Sequence, residues 1–122
     1  ILMRSSRTGE PIEYPLLSVG DGWLGIIEEL CIAIEAEFAK HPELRGQVYA
    51  TQVKEKFGGL RFYLSLDTEE IYTLVSQAER KSYQVCETCG DIGELRKDLG
   101  WYLTLCNSHY QKEKELRESE RS

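Results

Sequence analysis

Apolar residues recur at steps of three and four from Trp23 through Ile27, Leu30, Cys31 and Ile34 to Phe38. This periodicity predicts an amphipathic helix with one stripe against a core and Glu28, Glu29, Glu35 and Glu37 outside. Asp21 is placed to cap its start, and Pro42 disfavours helical geometry at His41, so the helix is expected to stop near Lys40. The period then changes. Residues 47–56 and 60–66 are rich in β-branched and aromatic side chains and flank Phe57-Gly58-Gly59, a turn whose glycines take positive φ without steric conflict. Together they predict a β-hairpin. In its second strand Leu60, Phe62, Leu64 and Leu66 alternate with Arg61, Tyr63 and Ser65, giving one face to a core and the other to solvent or a ligand. Ile71, Leu74, Val75 and Ala78 mark a second amphipathic helix over 68–83.

Beyond it the pattern shortens. Cys89-Gly90 resembles a metal-binding knuckle, 94–104 with Gly93 and Gly100 nearby suits a short hairpin, and the chain from Asn107 is helix-compatible. Residues 112–122 are so charged that a solvated helix with fraying last turns is expected. Ahead of the first helix, Gly9, Pro11, Pro15 and Gly20 interrupt any period. Residues 1–20 therefore read as an irregular lead pinned by Tyr14, Leu16 and Leu17, with 1–10 mobile. The fold class is α+β: two helices packed on a β-hairpin or small antiparallel sheet over 21–84, followed by a treble-clef-like zinc unit over 85–122.

The composition is that of an ordered protein of one modest domain with an appendage, with 41% hydrophobic and 30% charged residues in 122. The net charge of −6 argues against loose, charge-driven nucleic-acid binding. Three thiolates against one divalent cation take the balance further negative, so a protein partner or a small ligand in a local pocket fits better. The longest apolar-leaning stretch, 23–38, carries four glutamates and is unsuited to a bilayer. No export signal is visible in 1–10, although Arg4 and Arg7 lie there, and a reducing cytoplasm is expected.

The strongest chemical signal is Cys86-x2-Cys89 and Cys106-x2-His109, two ligand pairs separated by sixteen residues. Two residues between ligands let one backbone turn aim both side chains at one ion, and the spacer can fold back as a hairpin. Four protein ligands complete a tetrahedron, so the site reads as structural zinc. Were His109 not a ligand, an open position and a hydrolytic role would return. Cys31, on the apolar stripe, reads as a small buried hydrophobe.

A second concentration lies at the hairpin, where Lys54, Lys56 and Arg61 meet Phe57, Tyr63 and glycines around one turn. The cations suit a phosphate or carboxylate, and Phe57, Tyr63 or Trp23 suits stacking on a base. The plainer reading, lysines on a solvent face and aromatics in the core, stands beside it. Gly20-Asp21-Gly22-Trp23 offers backbone amides to an anion, or equally a helix cap with a buried tryptophan. His41, before Pro42, reads as a surface or capping residue.

Tyr14-Pro15, Gly20-Asp21-Gly22-Trp23, Leu30-Cys31, the block Gln-Val-Lys-Glu-Lys-Phe-Gly-Gly-Leu-Arg-Phe-Tyr over 52–63, and the cysteine pairs around Gly100-Trp101 together resemble a group of small bacteriophage and prophage proteins. The likeness runs from about residue 14 to 109. It implies an accessory protein that occupies a host macromolecule, such as a defence or transcription component, rather than catalysing a reaction. Three functions are carried forward: a non-enzymatic blocker of a host protein, a nucleotide-sequestering or nucleic-acid-binding module, and, last, a metal-dependent nuclease.

Overall fold

The computed structural model describes residues 17–121. The expectations for 1–10, and for Tyr14 and Leu16 as pins, lie outside the described residues. Leu17–Ser18 forms a two-residue strand, β1, parallel to the middle strand of a three-stranded sheet. Residues 1–20 were expected to be irregular throughout, and a segment this short carries no period to read.

A 3-10 turn at Asp21–Trp23 leads into α1 (Leu24–Lys40). Gly20, not Asp21, caps this turn, without a side-chain hydrogen bond. The apolar stripe of α1 is buried as expected, Ile34 completely, and the helix stops at Lys40 ahead of a second 3-10 turn at Pro42–Leu44. Exposed His41 pairs with Glu43 at 3.7 Å. Cys31 is half-buried against the core, and burial pushes its thiol pKa up. Strands β2 (Ala50–Lys56) and β3 (Gly59–Leu64) pair antiparallel, with Lys54 opposite Arg61 and Lys56 opposite Gly59.

The turn between them is a two-residue one in which Phe57 and Gly58 both have positive φ, at 55° and 84°. Such primed turns match the right-handed twist of the strands they join. Gly59, expected to share the turn, instead begins β3 and makes room for the Tyr83 ring, which a Cβ there would strike.

Helix α2 (Glu69–Ser82) starts on Thr68, whose hydroxyl accepts the Ile71 N–H at 3.2 Å. Glu69 and Glu70 in its first turn and Arg80 and Lys81 in its last complement the helix dipole. Both helices cover one face of the sheet, enclosing Trp23, Ile34, Val53, Leu60 and Ile71. The buried Ser82 hydroxyl ties α2 to β3 by accepting the Leu60 N–H at 2.9 Å while donating to the Glu79 carbonyl.

The chain then enters the C-terminal unit: a turn at 86–90, strands β4 (Glu94–Arg96) and β5 (Leu103–Leu105), and α3 (Asn107–Arg121). Helix α3 continues to Arg121. Arg117 donates to the Leu99 carbonyl at 2.6 Å and to Glu113 at 3.1 Å, holding the helix against the β4–β5 connection.

Candidate metal centre

Four ligand atoms converge between the 86–90 turn and the start of α3. Gly90 N–H donates to the Cys86 carbonyl at 2.9 Å with Gly90 at φ 86°, which curls the chain so that Cys86 and Cys89 point the same way. Cys106 precedes α3, and the His109 amide donates to its sulfur at 3.4 Å, so the first helical turn presents the second pair. All four ligand atoms lie within 4.8 Å of one another. Cys89 and Cys106 Sγ are 3.8 Å apart, and His109 Nδ1 lies 3.7 Å from Cys86 Sγ and 3.2 Å from Cys106 Sγ. A tetrahedral ion with zinc-length bonds requires edges of about 3.8 Å between sulfurs and about 3.6 Å from sulfur to nitrogen. The donor set fits such an ion.

The electrostatics agree. Burial opposes ionisation of Cys86, but the backbone amides of Cys106, Cys89 and Thr88 outweigh it and draw that thiol down to about 6. At exposed Cys89 the Asp91 amide favours the thiolate, yet desolvation and the sulfurs of Cys86 and Cys106 push it up to about 11. Three sulfurs this close can all carry charge only with a cation among them.

A small apolar core of Leu99 and Leu105, flanked by Leu103 and Tyr110, surrounds Cys86 and Cys106. Arg96 fastens β4 to α3: its guanidinium lies 4.4 Å from the Tyr110 ring centre and donates to Asn107 Oδ1 at 2.9 Å and the Leu105 carbonyl at 3.2 Å.

The core clasps this unit through the two glycine motifs. Gly22 N–H donates to the Glu87 carbonyl at 2.8 Å, Gly20 N–H to the Glu87 carboxylate at 2.9 Å, and the Trp23 indole to the Val85 carbonyl at 2.8 Å. The anion at the Gly20–Trp23 amides is therefore the chain's own Glu87, whose pKa is raised by half-burial despite that bond. At the other contact the buried Thr104 hydroxyl donates to the Gly58 carbonyl at 2.6 Å, and Leu95 packs where a Gly58 side chain would sit.

Two of the residues considered for binding are engaged within the fold. Trp23 is completely buried, so it cannot stack on a base. Arg61 is 20% exposed and engaged with Glu79 at 2.7 Å, as well as donating to the Leu60 carbonyl and the Tyr83 hydroxyl. Lys54, Lys56, Phe57 and Tyr63 remain at the surface, with Lys54 Nζ 5.8 Å from the Tyr63 ring centre and Lys56 Nζ 5.7 Å from that of Phe57. They are joined by Tyr102 and Lys97 of the metal unit, which the sequence reading had missed: the Phe57 and Tyr102 rings meet edge to face at 6.4 Å, and Lys97 Nζ lies 5.8 Å from the Tyr102 centre. The one signal for them was the short hairpin expected over 94–104. Comparison with protein-family models, curated proteins and solved structures finds no match.

Proposed function

We propose that the chain is a non-enzymatic binding protein, braced by one structural zinc ion on Cys86, Cys89, Cys106 and His109, that occupies and blocks a macromolecule of the cell it works in. Three thiolates and an imidazole suit zinc, and four protein ligands leave no place for water or substrate. Among the described residues this is the one grouping of histidine, cysteine and carboxylate side chains placed to hold a metal ion. That favours a scaffolding metal over a reaction centre. The order of knuckle, hairpin and helix is that of a treble-clef-like unit.

The observation that carries the reading is the meeting of Phe57 from the core hairpin with Tyr102 from the metal-unit hairpin, both exposed. Folding the metal unit onto the core assembles an open face that neither part presents alone. The resemblance to bacteriophage and prophage proteins supplies the setting, a bacterial cytoplasm whose reducing conditions keep thiolates available, with a defence or transcription component as target. Among the described residues no helix is long and apolar enough to cross a membrane.

The test is size exclusion of a gently made bacterial lysate containing the tagged chain or its Phe57→Ala/Tyr102→Ala variant. The parent is expected to elute as a larger complex that the variant fails to form. Elution of the parent as it runs when pure would refute the proposal.

A further inference from the structure

The face shared by the two hairpins has a composition that narrows its partner. Phe57 is 60% exposed and Tyr63 and Tyr102 are 40% and 42% exposed, and each ring has a lysine beside it: Lys56, Lys54 and Lys97. The acidic groups nearby have partners of their own, Glu79 beside Arg61 among them. Glu55 turns back to accept the Gly58 N–H at 3.2 Å, Glu94 pairs with Arg96 on the α3 side, and Asp98 accepts the Tyr110 hydroxyl. A chain of net charge −6 thus presents rings and cations at the hairpin turn, where Phe57 and Lys56 adjoin Tyr102 and Lys97, and further along the same hairpin at Tyr63 and Lys54.

Phe57 adds a separate indication. It occupies a left-handed position that asparagine or glycine ordinarily fills, without being buried. Neither turn propensity nor core packing accounts for an aromatic residue there, and strained residues of this kind gather at binding sites.

We infer that this face binds single-stranded nucleic acid, with Phe57, Tyr63 and Tyr102 as stacking platforms and Lys54, Lys56 and Lys97 on the phosphates. The inference rests on the reading of the chain as a binding protein and takes the macromolecule it occupies to be a nucleic acid in place of a protein component. Protein interfaces are depleted in lysine, whose ammonium must be desolvated there, whereas a phosphate pairs with it and releases counterions. Aromatic rings beside such cations accept any base, because every base has a π face. Repulsion from the rest of the acidic surface confines contact to a short stretch of strand.

The experiment is fluorescence anisotropy of labelled 20-nucleotide oligothymidine and oligouridine titrated with the zinc-loaded protein at rising salt. Three phosphate contacts give a log–log salt slope of about −2, hence roughly twentyfold weaker binding on going from 50 to 200 mM. Replacing Lys54, Lys56 and Lys97 by glutamine is expected to flatten that slope. Phe57→Ala and Tyr102→Ala are each expected to weaken binding by about fivefold to a hundredfold, while Tyr102→Phe keeps it. Metal content and circular dichroism confirm that each variant is folded, and the lysine variants carry the test should an alanine variant unfold.

No anisotropy change with roughly 100 µM protein at 50 mM salt, the weak end of non-specific affinities, overturns the inference, as does a slope indifferent to the lysines. Nuclease treatment of the lysate separates the two levels. A complex that survives nuclease and needs Phe57 and Tyr102 sinks the nucleic-acid assignment and keeps the binding protein; no complex with or without nuclease sinks both.

Discussion

Gly22→Ala is expected to open the seam between the core and the metal unit. A Cβ at this position would strike the Cys86 carbonyl and come within 2.6 Å of Gly90 N and 2.7 Å of the Glu87 carbonyl carbon. All three are backbone atoms of the ligand-bearing turn, and none can swing aside as the end of a side chain would. Relief requires the turn to lift, which breaks the bonds from Gly22 and Trp23 to Glu87 and Val85 and the one from Gly20 to the Glu87 carboxylate.

Two bonds between neutral partners contribute about 0.5–1.5 kcal/mol each and the carboxylate bond about 1.5–3, so the loss is about 2.5–6 kcal/mol. Against a total on the order of 5–15 kcal/mol, that is a large fraction. In a chain of 122 residues it corresponds to a Tm lower by about 10–25 °C. Gly25 supplies the control three residues on, since a Cβ there meets nothing within 4 Å and the residue lies in α1. Gly25→Ala is expected to stabilise by about 0.5–1 kcal/mol, as alanine does in place of glycine in a helix. Thermal denaturation followed by circular dichroism, with metal content measured in parallel, compares the pair. A Gly22→Ala protein that melts within about 2 °C of the parent with its metal retained would refute the reasoning.

Cys86→Ser and Cys106→Ser are expected to lose the metal and unfold the chain beyond residue 84, because ion binding and folding of that unit share one free energy; metal analysis with hydrogen exchange of 85–121 checks this, and retention of stoichiometric zinc disproves the ligand assignment. Thr104→Val, which keeps the shape of a completely buried side chain but leaves the Gly58 carbonyl without its donor, is expected to lower stability by about 1–3 kcal/mol in urea denaturation. Ser82→Ala deprives the Leu60 N–H of its acceptor and is expected to do the same by about 1–3 kcal/mol, with metal affinity unchanged because the loss falls on the α2–β3 contact. Arg61→Ala is expected to leave oligonucleotide affinity unaltered, since its guanidinium is held by Glu79 and Tyr83; a tenfold weakening in anisotropy would return it to the binding face.

The elements that bury a periodic face were legible. The step pattern from Trp23 to Phe38 yields α1, the alternation after Leu60 yields β3, and Ile71 to Ala78 yields α2, each within a few residues of its observed bounds. The convergence of Cys86, Cys89, Cys106 and His109 was equally plain, because their spacing is local and their chemistry narrow. What escaped depends on neighbours distant in sequence. The burial of Trp23 was legible from its phase with Ile27, Leu30 and Ile34, but not the Val85 carbonyl that its indole meets. Arg61 looked free because Glu79 approaches it from a different element. Gly20, Gly22 and Gly58 advertised room for a close approach, but a glycine does not say what approaches, and the visitor proved to be the chain's own metal unit.

The seam also bears on how this protein can be divided. A cut after Gln84 would strip the Trp23 indole of its acceptor and leave the amides of Gly20 and Gly22 facing water beside an uncovered apolar ring. The reverse fragment would keep all four ligands yet lose the platform on which their turn rests. Neither piece is a portable module, so grafting the cysteine pairs into another host sequence would transplant the four side chains without the exposed Phe57–Tyr102 contact that the unit's docking creates.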